Sequence, residues 1–124
     1  MGYSYQIDTN ANVMRVVLDD AANLDDRESA LQQIVNYLLE YPTMGILLDV
    51  RQVSKSRTEN QSIDYGRLLG SKSERFSKSK LSILRDNTDT QLIETSIAYL
   101  DGFENVVEFD NESDAYNWVT GQIQ

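Results

Sequence analysis

The chain contains no cysteine and no histidine, and Pro42 is its single proline in 124 residues. Without these residue types it has no disulfide, thiolate nucleophile, imidazole base or common zinc ligand. No apolar run approaches the ~20 residues of a membrane-spanning helix, and the first residues do not resemble a signal peptide. We therefore expect one cytoplasmic domain over residues 1–124, with no metal or cofactor.

Catalytic motifs are also missing. No glycine-rich phosphate loop follows a predicted strand, and no serine has a histidine base. Asp49, Asp86 and Asp110 each end a predicted strand at its carboxyl end, where open α/β sheets place their sites. Aspartate is also a routine capping residue at such positions, and we favour that structural interpretation. We therefore expect a protein that is not an enzyme.

Hydrophobic periodicity predicts an α/β domain. Tyr3, Tyr5 and Ile7 alternate with polar residues, and 13–18 alternates again, which predicts an opening β-hairpin. The run at 45–50 has an apolar residue on both of its faces, so we expect a strand buried on both sides. Further strands are predicted within 80–86 and at 106–109.

Four amphipathic helices accompany these strands. The first opens with Asp25 and Glu28 at capping-box spacing and ends at Tyr41. Its buried stripe is predicted to contain Leu31, Ile34, Val35, Leu38 and Leu39. The others are predicted over about 60–76, from Thr88 to Leu100, and from a cap at Asp110 or Asn111 to Val119. The resulting β-β-α-β-α-β-α-β-α order predicts a mixed, mostly parallel five-stranded sheet with four helices.

Aspartates are dense before the first helix, at Asp19, Asp20, Asp25 and Asp26. We interpret them as capping and solvation of the helix start. A calcium site is the alternative, but it would need a tighter liganding loop.

Charge is unevenly distributed along the chain. The formal net charge of −9 argues against binding to nucleic acid. Between residues 51 and 80, eight basic residues stand against three acidic ones, which makes this segment +5 and the remainder −14. We expect such a segment to be set aside for a partner, although it could simply complement the acidic body of the same molecule.

The second predicted helix lies inside this basic segment and has a poor composition for a helix. Gly66 and Gly70 each cost about 1 kcal/mol relative to alanine, and the apolar stripe is thinner than in the first helix. We therefore expect it to be the least firmly docked helix. The two glycines indicate either a close approach to the sheet or a gap beside it.

The hairpin, the strand ending GILLDVR at 45–51 and the closing VVEFD at 106–110 followed by a helix resemble the SpoIIAA-like proteins. These are small bacterial relatives of the anti-sigma-factor antagonist (STAS) domain and are grouped with Sec14-type lipid-binding folds. The resemblance covers nearly the whole chain and lies mostly at core positions. It implies a STAS-like fold and binding of a small lipophilic molecule or a membrane surface.

In the antagonist proper, a serine after the central strand is phosphorylated and switches partner binding. Here the corresponding region holds Ser54 and Ser56 beside Lys55 and Arg57, without the antagonist's serine motif. The resemblance therefore does not imply a conventional phosphoserine switch.

We hypothesise a non-enzymatic binding domain whose working surface is the mobile basic helix 60–78. In one version a small apolar ligand enters beneath that helix, or the helix meets an anionic membrane surface at the inner membrane face. In the alternative, an acidic protein partner docks there, as in a STAS-like regulatory module. The predicted surface residues are Arg51, Ser54, Lys55, Ser56, Arg57, Tyr65, Gly66, Arg67, Leu69, Gly70, Arg75, Phe76 and Lys78. The sequence does not indicate an oligomeric state.

Overall fold

The computed structural model describes residues 2–19, 23–52, 59–76, 78–86 and 105–121, with side chains at all of these except 24, 59–62, 65 and 73. The strands are β1 (Tyr3–Asp8), β2 (Val13–Leu18), β3 (Gly45–Asp49), β4 (Leu81–Leu84) and β5 (Val106–Phe109). The helices are α1 (Leu24–Glu40), α2 (Glu59–Ser71) and α3 (Glu112–Val119), and a 3₁₀ turn, Ser73–Phe76, follows α2. The predicted α/β class is confirmed. The helix predicted from Thr88 to Leu100 lies outside the described residues.

The five strands form a mixed sheet in which spatial order follows chain order, β1-β2-β3-β4-β5. β1 pairs antiparallel with β2, and each later pair is parallel, as the sequence predicted. α1 connects β2 to β3 and α2 connects β3 to β4, and these two helices supply the crossovers that those parallel pairs need.

β3 lies at the centre of two cores on opposite faces of the sheet. Ile46 and Leu48 face the main core, which α1, α2 and the 3₁₀ turn cover. Leu47 faces a smaller core against Ala115 of α3. All of β3 is buried, which confirms the prediction of a strand with no wet face.

Asn23 caps α1, and the predicted cap at Asp25 was wrong. The Asp26 N–H donates to Asn23 Oδ1 at 2.8 Å, and the Asn23 N–H donates to Asp26 Oδ2 at 3.1 Å. This reciprocal pair is a capping box two residues earlier than predicted. The predicted stripe is buried except for Leu39, which is 65% exposed at the solvent side of the last turn.

α2 ends at Ser71 rather than continuing as an α-helix to Phe76. The Lys72 N–H donates to the Leu69 carbonyl at 3.1 Å, and the Arg75 N–H donates to the Lys72 carbonyl at 3.0 Å. These three-residue spacings tighten the chain into the 3₁₀ turn.

α3 packs unusually close to the start of β3. A Cβ added to Gly45 would lie 2.5 Å from the Val119 carbonyl oxygen, so glycine is required for this approach. Asn111 caps the helix by accepting a hydrogen bond from the Asp114 N–H at 3.1 Å.

Candidate functional site

α2 and its 3₁₀ turn form an amphipathic segment at the predicted working surface. Arg67, Arg75 and Lys78 are exposed, whereas Leu69 and Phe76 are each 1% exposed and belong to the main core. The apolar side is therefore packed, and the cations face solvent. We call Arg67, Arg75 and Lys78 the cationic surface.

Within the described ranges, no carboxylate forms an ion pair with the cationic surface. The arginines on or beside the sheet behave differently. Arg15 and Arg51 both contact Asp49, and Arg85 Nε lies 2.7 Å from Glu108 Oε1. The described part of the acidic body therefore neutralises the arginines of the sheet and leaves those of α2 and its turn without a salt bridge.

Other predicted surface residues lie in several places. Gly66 and Gly70 are buried in α2. Tyr65 lies in the same helix, but its side chain is not among those that the structure describes. Arg51 lies on the α3 side of the sheet, so the structure does not bring it together with the cationic surface. Ser54, Lys55, Ser56 and Arg57 lie outside the described residues.

Arg51 instead belongs to an arginine–carboxylate network with Arg15, Asp49 and Glu112. Asp49 Oδ2 lies 3.0 Å from Arg15 Nη2 and 2.7 Å from Arg51 Nη2. Glu112 Oε1 lies 2.8 Å and 3.0 Å from the same two nitrogens. The Arg51 N–H and Nε also donate to Asp49 Oδ1, each at 3.0 Å. Both Asp49 oxygens are thus occupied by cationic or backbone donors.

The network keeps its carboxylates ionised. Burial alone would raise the pKa of Asp49, but hydrogen bonds from Arg51 and the charges of Arg51 and Arg15 together hold it below its ordinary value. The hydrogen bond from Arg15 lowers the pKa of Glu112 as well. The hydrogen bond to Asp49 raises the pKa of Arg51. At neutral pH the network therefore pairs two cationic side chains with two ionised carboxylates.

A cleft of about 590 Å³ opens beside this network, between the hairpin and α3. Its lining residues are Gln6, Ile7, Asp8, Val13, Arg15, Leu47, Glu112 and Tyr116. The cleft lies over the half of the sheet that α3 does not cover. Its polar side chains include both signs of charge, so it offers no strong preference for an anion or a cation.

Arg15 and Glu112 were missed by sequence reasoning. The signal for Arg15 was one charged residue between Val13 and Val17 on the weaker face of an alternating strand. Glu112 lies in the first turn of α3, where the helix dipole favours an acidic residue with or without a partner, so the sequence gives no separate signal for its contact with Arg15. Their pairing depends on the sheet register and on where α3 packs, and neither can be read from local sequence.

No protein-family model, curated protein or solved structure matches the chain. In the described ranges, no helix has both the length and the apolarity to cross a membrane. Among those same residues, no group of three or more acidic side chains is arranged to hold a metal ion.

Proposed function

We propose that this chain is a non-enzymatic binding domain that docks on an anionic membrane surface through Arg67, Arg75 and Lys78. The observation that supports it most is the contrast between these cations and the arginines of the sheet. In the described part of the molecule, the cationic surface has no carboxylate partner even though the protein carries a formal net charge of −9. Exposed cations that no described carboxylate neutralises, on a protein that is acidic overall, fit an external anionic partner.

The expected attachment is weak and oriented. A lysine or arginine near an anionic leaflet contributes about 1 kcal/mol, so three contribute roughly 3 kcal/mol at low ionic strength. The acidic body is repelled by the same surface, which turns the cationic side toward the membrane. Binding should therefore be peripheral, reversible and sensitive to salt.

The state of Asp49 supports a non-enzymatic role at the carboxyl end of β3. A general acid or base works best with a pKa near the working pH. The pKa of Asp49 is lowered, and both of its oxygens already accept hydrogen bonds from Arg51 or Arg15. The group has neither a proton to give at neutral pH nor a free lone pair aimed at a substrate.

As a second part of the same proposal, the protein carries a small apolar ligand beneath α2. Leu69 and Phe76 fill the space against the main core, so a ligand could enter only if the helix lifted. The two buried glycines of α2 are the feature that would ease this movement. Amide hydrogen exchange tests whether α2 lifts from the core. The amides of residues 60–71 should exchange faster than those of 31–39, and equal protection of the two segments would rule out ligand entry beneath α2.

Vesicle sedimentation tests the membrane proposal. Wild-type protein should sediment with phosphatidylglycerol vesicles at low salt, lose binding as salt rises, and fail to bind phosphatidylcholine vesicles. Arg67→Glu plus Arg75→Glu should abolish sedimentation while leaving the thermal unfolding temperature within a few degrees of wild type, since both side chains are exposed. Absence of binding to anionic vesicles at low salt would overturn the proposal.

An acidic protein partner would use the same three cations. Vesicle sedimentation distinguishes this alternative from the membrane proposal, because a regulatory module would bind neither phosphatidylglycerol nor phosphatidylcholine vesicles. Retention of one stoichiometric partner, lost in the double charge reversal, would then replace the membrane proposal with the STAS-like regulatory alternative.

A further inference from the structure

β1 forms one edge of the described five-stranded sheet, and a row of its backbone groups has no partner among the described residues. The Asp19 N–H donates to the Gly2 carbonyl at 2.9 Å, which fixes the alternation of the antiparallel ladder with β2. Ser4, Gln6 and Asp8 therefore direct their backbone groups toward β2. Tyr3, Tyr5 and Ile7 direct theirs away from the sheet, and no other described residue bonds to them.

β1 also lacks the features that usually block pairing at an edge. The six-residue strand YSYQID contains no proline, no lysine and no bulge, and its one charge is Asp8 at the last position. Tyrosine and isoleucine favour extended structure. An edge of this length, polarity and regularity is a template for another strand.

A tyrosine patch lies next to the open edge. The ring of Tyr5, 42% exposed, packs against Tyr37 of α1 with centroids 5.9 Å apart. Tyr41, at the end of the same helix, is 39% exposed, and its backbone N–H donates to the Tyr37 carbonyl. Aromatic surface beside an unpaired strand provides apolar area that pairing would bury.

We infer that two copies of this chain pair antiparallel through β1, about a two-fold axis at Tyr5, to form one continuous ten-stranded sheet. Residues directly opposite in a sheet share a face, so the symmetric register sets Tyr5 against Tyr5 and Tyr3 against Ile7. In this register every outward backbone group of Tyr3, Tyr5 and Ile7 gains a partner. A one-residue slip would place apolar side chains against polar ones.

A second copy fits this edge because the symmetric register brings no like charges directly opposite each other. The charged residue Asp8 falls opposite Gly2 of the other copy, so like charges do not face each other across the pair. The axis stands perpendicular to the sheet, which puts the α1 and α2 layers of both copies on the same side. The pairing rests on the β1 edge alone and stands whether or not the cationic surface binds membranes.

Cysteine cross-linking tests the register directly, since the chain has no cysteine of its own. Directly opposed Cα atoms in a hydrogen-bonded pair are ~5.5 Å apart, inside the disulfide range, so Tyr5→Cys should oxidise to a covalent dimer. Gln6→Cys, displaced from the axis and on the other face, should cross-link at least about tenfold more slowly. Equal rates for the two variants would overturn the register.

Sedimentation equilibrium tests the association itself. Wild-type protein should show twice the mass of one chain at high concentration and dissociate on dilution. Tyr5→Lys, which sets two ammonium groups together at the axis, should be monomeric, whereas Gln32→Lys, the same change in charge on the exposed side of α1, should still dimerise. A monomeric wild type throughout, or dimers that survive Tyr5→Lys, would refute the pairing.

Discussion

Arg15 Nη2 in β2 lies 2.8 Å from Glu112 Oε1 in the first turn of α3, across 97 positions of the chain. The same nitrogen contacts Asp49 at the end of β3. One guanidinium thus ties the opening hairpin, the central strand and the last helix together on one face of the sheet. These contacts connect elements that are distant in sequence, so they contribute to the tertiary packing of α3 against the sheet.

The Arg15–Glu112 contact should be measurable as a coupling energy. Arg15→Gln, Glu112→Gln and the double variant form a cycle, for which we expect a coupling of about 0.5–1 kcal/mol because Glu112 is half exposed. Urea unfolding supplies the free energies. Asp114→Asn is the control, since this exposed residue of the same turn forms no ion pair with the described residues. A coupling no larger with Glu112 than with Asp114 would contradict the assignment.

Asp49→Asn should destabilise the protein by about 2 kcal/mol at pH 7, because hydrogen bonds to a charged group are lost at a buried site. The native pKa of Asp49 is lowered, so its contribution is present above the unfolded pKa of ~3.9 and is lost as pH falls through the native value. The difference between wild type and variant should therefore shrink below about pH 4. Unfolding curves at pH 7 and pH 3 check this, and a pH-independent difference would argue against the charge as its cause.

Gly45→Ala should destabilise the fold more than Gly121→Ala. The new methyl group at residue 45 would lie 2.5 Å from the Val119 carbonyl oxygen, so α3 must move, at a cost of about 1–3 kcal/mol. Gly121 has open space around it but a φ of +76°, so alanine there costs roughly 1 kcal/mol of backbone strain. Thermal unfolding of both variants makes the comparison. The reverse order would mean that α3 is not held close to β3.

Salt should act in opposite directions on the two proposed associations. Each copy carries a formal charge of −9, so screening should strengthen the β1 dimer. Vesicle binding relies on attraction, so the same screening should weaken it. Sedimentation at low and moderate salt measures both. If the two associations responded in the same direction, one of the charge arguments would be wrong.

Much of the fold could be predicted because its signals are local. The alternation in the hairpin, the unbroken apolar run of β3 and the stripe of α1 each report burial by periodicity, and each was found where predicted. The errors fell at element ends. Asn23 and Asp25 are both residue types that cap helices well, so the sequence did not decide between them. Leu39 has the spacing of the buried stripe, but the core does not extend to the last turn of α1, and its side chain is exposed.

The candidate sites were less predictable because they depend on tertiary packing. The charge segment of 51–80 was visible, but sequence alone could not separate Arg51, which Asp49 and Glu112 engage, from Arg67 and Arg75. Arg51 can be distinguished from Arg67 and Arg75 only when the side of the sheet that each residue occupies is known. The position of β1 at the edge of the sheet could be recognised only from the order of the strands, since a hairpin strand can equally lie inside a sheet.

The central claim is that Arg67 and Arg75 serve an external anionic surface and not the protein's own stability. The most direct measurement compares binding isotherms to phosphatidylglycerol vesicles for two variants with the same net charge. Arg67→Gln plus Arg75→Gln removes two cations from the cationic surface, and Gln32→Glu plus Ser113→Glu adds two anions at exposed positions elsewhere. The first variant should lose about tenfold or more in affinity, at ~1 kcal/mol per arginine, while the second should bind nearly as wild type does. Equal loss in both variants would show that net charge alone governs binding and would contradict the claim.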